Sequence, residues 1–131
     1  MSIVLITGSN GLVGSESVQF FSKKGFDVVG IDNNLRQFFF GKNSSTLEVK
    51  KELIKNNRKN FTPLNIDIRN YNSLEKIFKK YRKYISLIIH CQCGINVGFA
   101  ICMRCIYRRA SVFNYHGCRF WLFDLSYYMA V

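Results

Sequence analysis

Apolar residues along the first 90 positions form two alternating patterns. Short runs rich in Ile, Val and Leu predict buried strands at residues 2–7, 27–31, 61–66 and 85–89. The segments between these runs favour helices, because their apolar residues recur at the spacing of one helix face. Strands that alternate with helices are typical of an α/β fold, since each crossover helix returns the chain to the same edge of a parallel sheet.

Three segments predict helices, and the last is the clearest because its apolar residues fall at i, i+3, i+4 and i+7 from Leu74. Residues 33–45 show no such period and are predicted to be irregular. They include Phe38–Phe40, whose rings either border a substrate or lid or fill the core. Helices are expected at residues 11–24, at residues 46–57 and after a cap at Asn72 or Ser73.

A glycine-rich loop joins the first strand to the first helix, with glycines spaced as GxxGxxG. Gly8 suits a tight turn out of the strand, and Gly11 lets a pyrophosphate approach the backbone. Gly14 allows the helix to pack closely on the strand. The amide groups at the helix start, from Asn10 to Val13, would then face the phosphates.

An acid stands where a dinucleotide-binding unit needs one. Asp32 follows the second strand, where its carboxylate can accept hydrogen bonds from an adenosine ribose and repel a 2′-phosphate. NAD is therefore the expected cofactor, and Arg36 leaves NADP as the alternative. The competing interpretation is a structural glycine turn followed by a solvent-facing acid.

These features predict a Rossmann-type parallel sheet with flanking helices, which ends after about four strands and continues into an irregular tail. The expected strand order is 3-2-1-4, which leaves the fourth strand at an edge. Because that strand is apolar, self-association through it is expected.

Composition changes abruptly near residue 91. Residues 1–90 hold 15 of the 19 Lys and Arg residues, whereas all five cysteines and the one Trp lie beyond residue 90. We therefore divide the chain into a Rossmann half-domain at 1–91 and a tail at 92–131. Our hypothesis is that the tail is a frameshifted or disordered segment.

Several segments together resemble the extended short-chain dehydrogenase/reductase family of NAD-dependent epimerases and dehydratases. The first is the TGxxGxxG loop with its acid after strand two, and the others are Asp67-Ile68-Arg69 and the strand that ends at His90. Residues 31–41, followed by 44–46, are similar to the CDP-paratose (CDP-tyvelose) 2-epimerases in particular. The resemblance covers residues 1 to about 91.

The resemblance implies an enzyme that oxidises a nucleotide sugar by hydride transfer to bound NAD and then reduces the intermediate. It places Asp67 and Ile68 at the adenine, and Asn33, Asn34 and Arg36 near the adenosine. The full set of expected cofactor contacts is Gly8, Asn10, Gly11, Leu12, Val13, Asp32, Asn33, Asn34, Arg36, Asp67 and Ile68.

Two departures from the family pattern limit this expectation. Gln92 and Cys93 stand where the family has small residues after strand four. None of the seven tyrosines is followed four positions later by Lys, so the catalytic Tyr-x-x-x-Lys is absent. We expect an NAD-binding N-terminal fragment of a nucleotide-sugar epimerase that is inactive alone. The alternative is a non-catalytic NAD-binding or regulatory module.

The remaining features favour unremarkable interpretations. The formal net charge of +11 could attract nucleic acid, but the basic run at residues 50–59 contains an acid and is interpreted as a solvated helix face. The cysteines around Cys102 and Cys105 lack zinc-site spacing, and His90 is interpreted as packed. With neither signal peptide nor membrane span, a cytoplasmic protein with reduced thiols is expected.

Overall fold

The computed structural model of the chain describes residues 2–91, 111–115 and 118–122. Strands and helices alternate through the first of these ranges, as predicted. The elements are β1 (Ile3–Thr7), α1 (Leu12–Lys23), β2 (Asp27–Ile31), α2 (Leu35–Phe40), a 3-10 turn (Lys42–Ser44), α3 (Leu47–Asn56), β3 (Phe61–Leu64), α4 (Tyr71–Tyr81), β4 (Ile85–His90), β5 (Ser111–Tyr115) and β6 (Cys118–Leu122).

The first four strands form one parallel sheet in the order β3-β2-β1-β4, which confirms the predicted Rossmann-type topology. β1 lies in the middle and pairs along its whole length with β2, from Ile3 opposite Asp27 to Thr7 opposite Ile31. Because all four strands run the same way, their carboxyl ends share one edge of the sheet. The glycine loop and Asp32 both follow strands at that edge.

Side chains of β1 alternate between two core layers, which is why helices cover both faces of the sheet. Ile3 and Leu5 belong to the layer that α4 covers with Leu74, Ile77 and Phe78. Val4 and Ile6 belong to the opposite layer, which includes Val18 of α1 and Leu53 of α3. All these side chains are buried, so the sheet edge that carries the glycine loop rests on a two-sided core.

The segment between β2 and α3 is more ordered than the sequence predicts. It contains the short helix α2 and a 3-10 turn instead of irregular backbone. The pattern gave no signal because α2 has no buried residue and hence no apolar period. Phe38, Phe39 and Phe40 are 81%, 63% and 73% exposed, so the interpretation of this triplet as core filler was wrong.

Two element ends differ from the prediction by two residues or more, and the other ends by at most one. β3 ends at Leu64 and not at Ile66, because its pairing with β2 stops where Ile31 lies opposite Leu64. α4 begins earlier than predicted, since the side chain of Asn70 accepts a hydrogen bond of 3.1 Å from the backbone N–H of Ser73. An Asn cap of this kind satisfies one of the free donors at a helix start.

Beyond residue 110, β5 and β6 form an antiparallel pair for which the sequence pattern gives no signal. β6 lies against β4, but its ladder partner is β5. β4 is thus an edge strand of the four-stranded sheet, as predicted.

Gly30 lies where the glycine loop crosses β2, and we expect Gly30→Ala to lower the free energy of unfolding by about 1–3 kcal/mol. A Cβ on Gly30 would lie 2.7 Å from Phe61 Cε2 and from Ser9 Cβ and Oγ. Urea denaturation of the parent and the variant measures the loss.

The matched control is Phe61→Leu, which shortens the ring that Gly30→Ala would strike. The double variant should lose less stability than the sum of the two single losses, because the second change relieves the first. A Gly30→Ala variant as stable as the parent would contradict the close packing of Gly30 against Ser9 and Phe61.

Candidate functional site

The turn after β1 brings three backbone segments so close that side chains are excluded. Gly8 adopts φ +67°, and its N–H donates to the carbonyl of Ile31 at 2.8 Å. A Cβ on Gly8 would lie 2.1 Å from the carbonyl oxygen of Cys91, and a Cβ on Gly14 would lie 1.9 Å from the carbonyl oxygen of Gly8. The ends of β1 and β4 and the first turn of α1 therefore meet at glycine-only contacts.

Gly11 differs because the space beside it is open towards the start of α1. A Cβ there would meet only the carbonyl oxygen of Gly8, at 3.3 Å. The N–H groups of Leu12 and Val13 have no hydrogen-bond partner among the described residues. Leu12 and Val13 are 81% and 39% exposed. Open donors at the positive end of a helix dipole are suited to an anionic ligand.

The carboxylate of Asp32 bridges the glycine turn and the segment after β2. Its Oδ2 accepts from the backbone N–H of Asn10 at 3.1 Å, and its Oδ1 accepts from the backbone N–H of Asn34 at 2.8 Å. Each carboxylate oxygen can accept a second hydrogen bond. Asp32 therefore fixes two loops and keeps acceptor capacity for a ligand.

The two asparagines after Asp32 organise the next segment. The Oδ1 atom of Asn33 accepts from the backbone N–H of Leu35 at 3.2 Å, and this bond supports the start of α2. Asn34 adopts φ +55° and bonds through its side chain to Gln37, Ser45 and Thr46. Side-chain hydrogen bonds thus join the two ends of the loop between β2 and α3, and few residues of this loop are buried.

Two neighbouring cavities open beside this network. The first, of about 160 Å³, lies between the end of β2 and the loop after β3. The second, of about 300 Å³, lies between the first turn of α1 and the start of α3. Gly8, Ile31, Asp32, Asn33, Leu35, Arg36, Thr46, Ile66, Asp67, Ile68 and Arg69 line the first. Asn10, Gly11, Leu12, Ser15, Arg36, Asn43, Ser44, Ser45, Thr46 and Val49 line the second.

Most of the sequence-predicted cofactor contacts are thus brought together around the two cavities. Among the described residues, Val13 and Asn34 are the predicted contacts that line neither cavity. Arg36 and Thr46 border both. Sequence reasoning did not name Thr46 as a contact. The available signal was the run of hydroxyl residues at 44–46, which follows the predicted loop and precedes a helix.

Asp67 and Arg69 form an ion pair at the rim of the first cavity. The guanidinium Nε of Arg69 lies 3.0 Å from both carboxylate oxygens of Asp67, and the backbone N–H of Arg69 lies 2.9 Å from its Oδ1. The hydrogen bond from the Arg69 side chain lowers the pKa of Asp67, although partial burial opposes this. Asp67 is therefore a charged acceptor at neutral pH, beside the buried Ile68.

His90 at the end of β4 is a packed histidine, as the sequence predicts. It is 4% exposed, and its Nδ1 lies 2.6 Å from the hydroxyl oxygen of Thr7. Burial lowers the pKa of His90 from 6.5 to about 4. The ring is therefore neutral at pH 7, and its bond to Thr7 ties the ends of β1 and β4 together.

The parallel sheet, the glycine turn and the acid after β2 define a Rossmann-type α/β domain. The model of the GDP-mannose 4,6 dehydratase family matches residues 5–101, which is most of the chain. The chain therefore belongs to this family. The match runs ten residues past position 91, where composition changes.

A similar curated protein is CapI of Staphylococcus aureus, which is 26% identical over 93 residues. That alignment covers 70% of this chain and 26% of CapI. The chain thus spans about a quarter of the length of this relative.

Solved structures show the same fold. The UDP-glucose-4-epimerase of Stenotrophomonas maltophila, determined with bound NAD, matches with a TM-score of 0.62 and 15% identity, over 79% of this chain and 34% of the other. The dTDP-glucose 4,6-dehydratase of Bacillus anthracis, in complex with NAD, matches with a TM-score of 0.54 and 21% identity. This match covers 76% of this chain and 29% of the other. The likeness lies in the Rossmann-type sheet and its helices.

In the part of the chain that the structure describes, no group of three or more His, Cys, Asp and Glu side chains is placed to hold a metal ion. Cys102, Cys105 and His116 lie outside the described residues. No described helix has the length and apolar character needed to cross a membrane.

The buried His90 predicts a specific loss of stability in mild acid. Its pKa is lowered in the folded chain, so unfolding takes up a proton between about pH 6.5 and the folded value of about 4. The free energy of unfolding is therefore independent of His90 titration above pH 6.5. Below that pH it declines, by up to about 3 kcal/mol at pH 4. Urea denaturation at pH 7.5, 6, 5 and 4.5 measures this decline.

The His90→Gln variant is the control, since Gln is polar but does not titrate. It should be less stable than the parent at pH 7.5. The difference in the free energy of unfolding between the two proteins should then decrease steadily towards pH 4.5. A gap that stays constant over this range would show that His90 titrates normally in the folded chain.

Proposed function

We propose that this chain binds NAD and supplies the adenosine and pyrophosphate contacts of a nucleotide-sugar epimerase or dehydratase. The observation that carries the proposal is the convergence at one sheet edge of the glycine turn, the open start of α1 and the Asp32 carboxylate. Each of the three offers what one part of a dinucleotide needs. Family membership supports the same conclusion.

The pyrophosphate fits the start of α1. A phosphate there would approach the bare Gly11 and receive hydrogen bonds from the N–H groups of Leu12 and Val13. Val13 lines neither cavity, but this contact needs only its backbone. The exposed side chains of both residues leave the approach open.

The adenosine fits the first cavity. Asp32 would accept from the ribose hydroxyls through the lone pairs that its loop contacts leave unused. Asp67, paired with Arg69 at the rim of this cavity, would lie beside the adenine, and Ile68 offers an apolar wall. When bound, NAD supplies a hydride acceptor for a sugar carbon and a donor for the return step.

Asp32 favours NAD over NADP, because its negative charge would lie beside a 2′-phosphate. Arg36, which borders both cavities, is the group that would favour NADP. The carboxylate is held by two backbone N–H groups, so it stays at the ribose position whichever cofactor enters.

For the substrate we propose a CDP-linked sugar of the paratose type, on the strength of residues 31–41 and 44–46. We also propose that these 131 residues do not catalyse epimerisation on their own. In this family a tyrosine exchanges the proton and a lysine lowers its pKa, and no Tyr-x-x-x-Lys occurs in the sequence.

Calorimetric titration of the chain with NAD and NADP tests the proposed cofactor. We expect saturable binding of NAD and at least about tenfold weaker binding of NADP. Asp32→Ala should weaken NAD binding by about 10- to 100-fold, the usual effect of losing hydrogen bonds to a charged group. In the same variant, the difference in affinity between NAD and NADP should be smaller than in the parent.

Asp27→Ala is the matched control, since Asp27 begins the strand that Asp32 follows and lies at the opposite edge of the sheet. It should leave NAD affinity within about twofold of the parent. Failure of the folded parent to bind NAD would contradict the proposal, as would equal effects of the two variants. Turnover of a CDP-sugar by the chain alone would contradict the proposed inactivity.

A further inference from the structure

Asn34 has a backbone conformation that sets it apart. Among the described residues it is the one non-glycine position with positive φ, at +55°. L-residues avoid this region, and Asn tolerates it best because its short side chain can bond to nearby backbone. The conformation turns the chain sharply from β2 into α2.

The side chain of Asn34 uses its whole hydrogen-bonding capacity within the protein. Its Oδ1 accepts from the N–H of Thr46 at 2.8 Å and from the hydroxyl of Thr46 at 3.1 Å. Its Nδ2 donates to Gln37 Oε1 at 2.6 Å and to Ser45 Oγ at 3.3 Å. An amide side chain has two acceptor and two donor positions, so no position is left for a ligand.

These bonds join segments that burial alone would not hold. α2 has no buried residue, and the 3-10 turn after it has none either. Asn34 connects the end of β2 directly to Thr46, which occupies the position just before α3 and is 8% exposed. The backbone N–H of Asn34 also donates to Asp32. One residue thus links the acid, the loop and the next helix.

We infer that Asn34 is a positioning residue for the adenosine part of the cofactor and does not bind the cofactor itself. It acts by holding Arg36 and Thr46 at the walls of both cavities and by orienting the Asp32 carboxylate. The cofactor part of this inference rests on the proposed NAD binding. The loop-ordering part rests on the hydrogen bonds alone.

Amide hydrogen exchange of the ligand-free chain tests the loop-ordering part. The variant of choice is Asn34→Gly, because glycine keeps the left-handed backbone and removes only the side chain. We expect the N–H of Thr46 to exchange at least about tenfold faster, since its acceptor is lost. A residue that only contacted a ligand would leave exchange in the ligand-free chain unchanged.

Calorimetry with NAD tests the cofactor part. Asn34→Gly should raise the Kd for NAD by about tenfold. Without the Asn34 side chain the loop is no longer ordered in advance, so NAD binding has to order it. Asn60→Ala is the matched control, because the Asn60 side chain bonds to the carbonyls of Ser22 and Phe26, away from both cavities. It should lower the midpoint of urea unfolding and leave the Kd within about twofold of the parent.

A double-mutant cycle with Thr46→Val tests whether Asn34 acts on the site through Thr46. If it does, the increase in the Kd for NAD caused by Thr46→Val should be smaller in the Asn34→Gly background than in the parent. Independent effects that multiply would show that the two residues are not coupled in binding, and would overturn the inference.

Two further results would also overturn it. The first is unchanged exchange at Thr46 in Asn34→Gly, which would remove the loop-ordering role. The second is an unchanged Kd in a variant whose exchange is faster, which would remove the cofactor role. If the parent bound no NAD, the proposed function and the cofactor role would both fail, while the exchange rates would still decide the loop-ordering role.

Discussion

The closest backbone approach in the site, between Gly8 and Gly14, is the constraint on which the rest depends. A single Cβ at Gly14 would lie 1.9 Å from the Gly8 carbonyl oxygen, so any side chain there would push α1 away from the sheet. The position of α1 determines where its open N–H groups point. A Cβ on Gly8 would in turn lie 2.1 Å from the carbonyl oxygen of Cys91, so a second contact of the same turn fixes the end of β4. One glycine turn therefore sets the geometry of three elements around the proposed pyrophosphate site.

A second layer of organisation is polar and begins at Asp32. Its two oxygens hold the glycine turn through Asn10 and the following loop through Asn34. Asn34 extends this network to Thr46 at the start of α3. The apolar core cannot perform this task, because the elements between β2 and α3 have no buried residue. Hydrogen bonds therefore shape the adenosine side of the proposed site, while backbone packing shapes the phosphate side.

The sheet, its strand order and the grouping of the candidate site residues at one edge of it could be predicted from sequence because they follow from local patterns. Apolar runs predict strands, and a GxxGxxG loop before an acid indicates the dinucleotide edge. The hydrogen bonds that Asn34 makes to Thr46 could not be predicted, since the two residues lie 12 positions apart and meet only in the folded chain. Gly30 was missed for a similar reason, because only the folded chain brings Ser9 and Phe61 against it. The short helix α2 buries nothing, so hydrophobic periodicity could not reveal it.

A dinucleotide that binds as proposed across the carboxyl edge of this sheet would have its phosphates at α1 and its adenosine beside Asp32. The most direct test maps backbone amide chemical shifts of the ¹⁵N-labelled chain during titration with NAD. We expect the largest shifts at Gly11, Leu12, Val13 and Ile68, with little change along α4. Shifts confined to the surface of α4, or no shifts at saturating NAD in a folded sample, would contradict it.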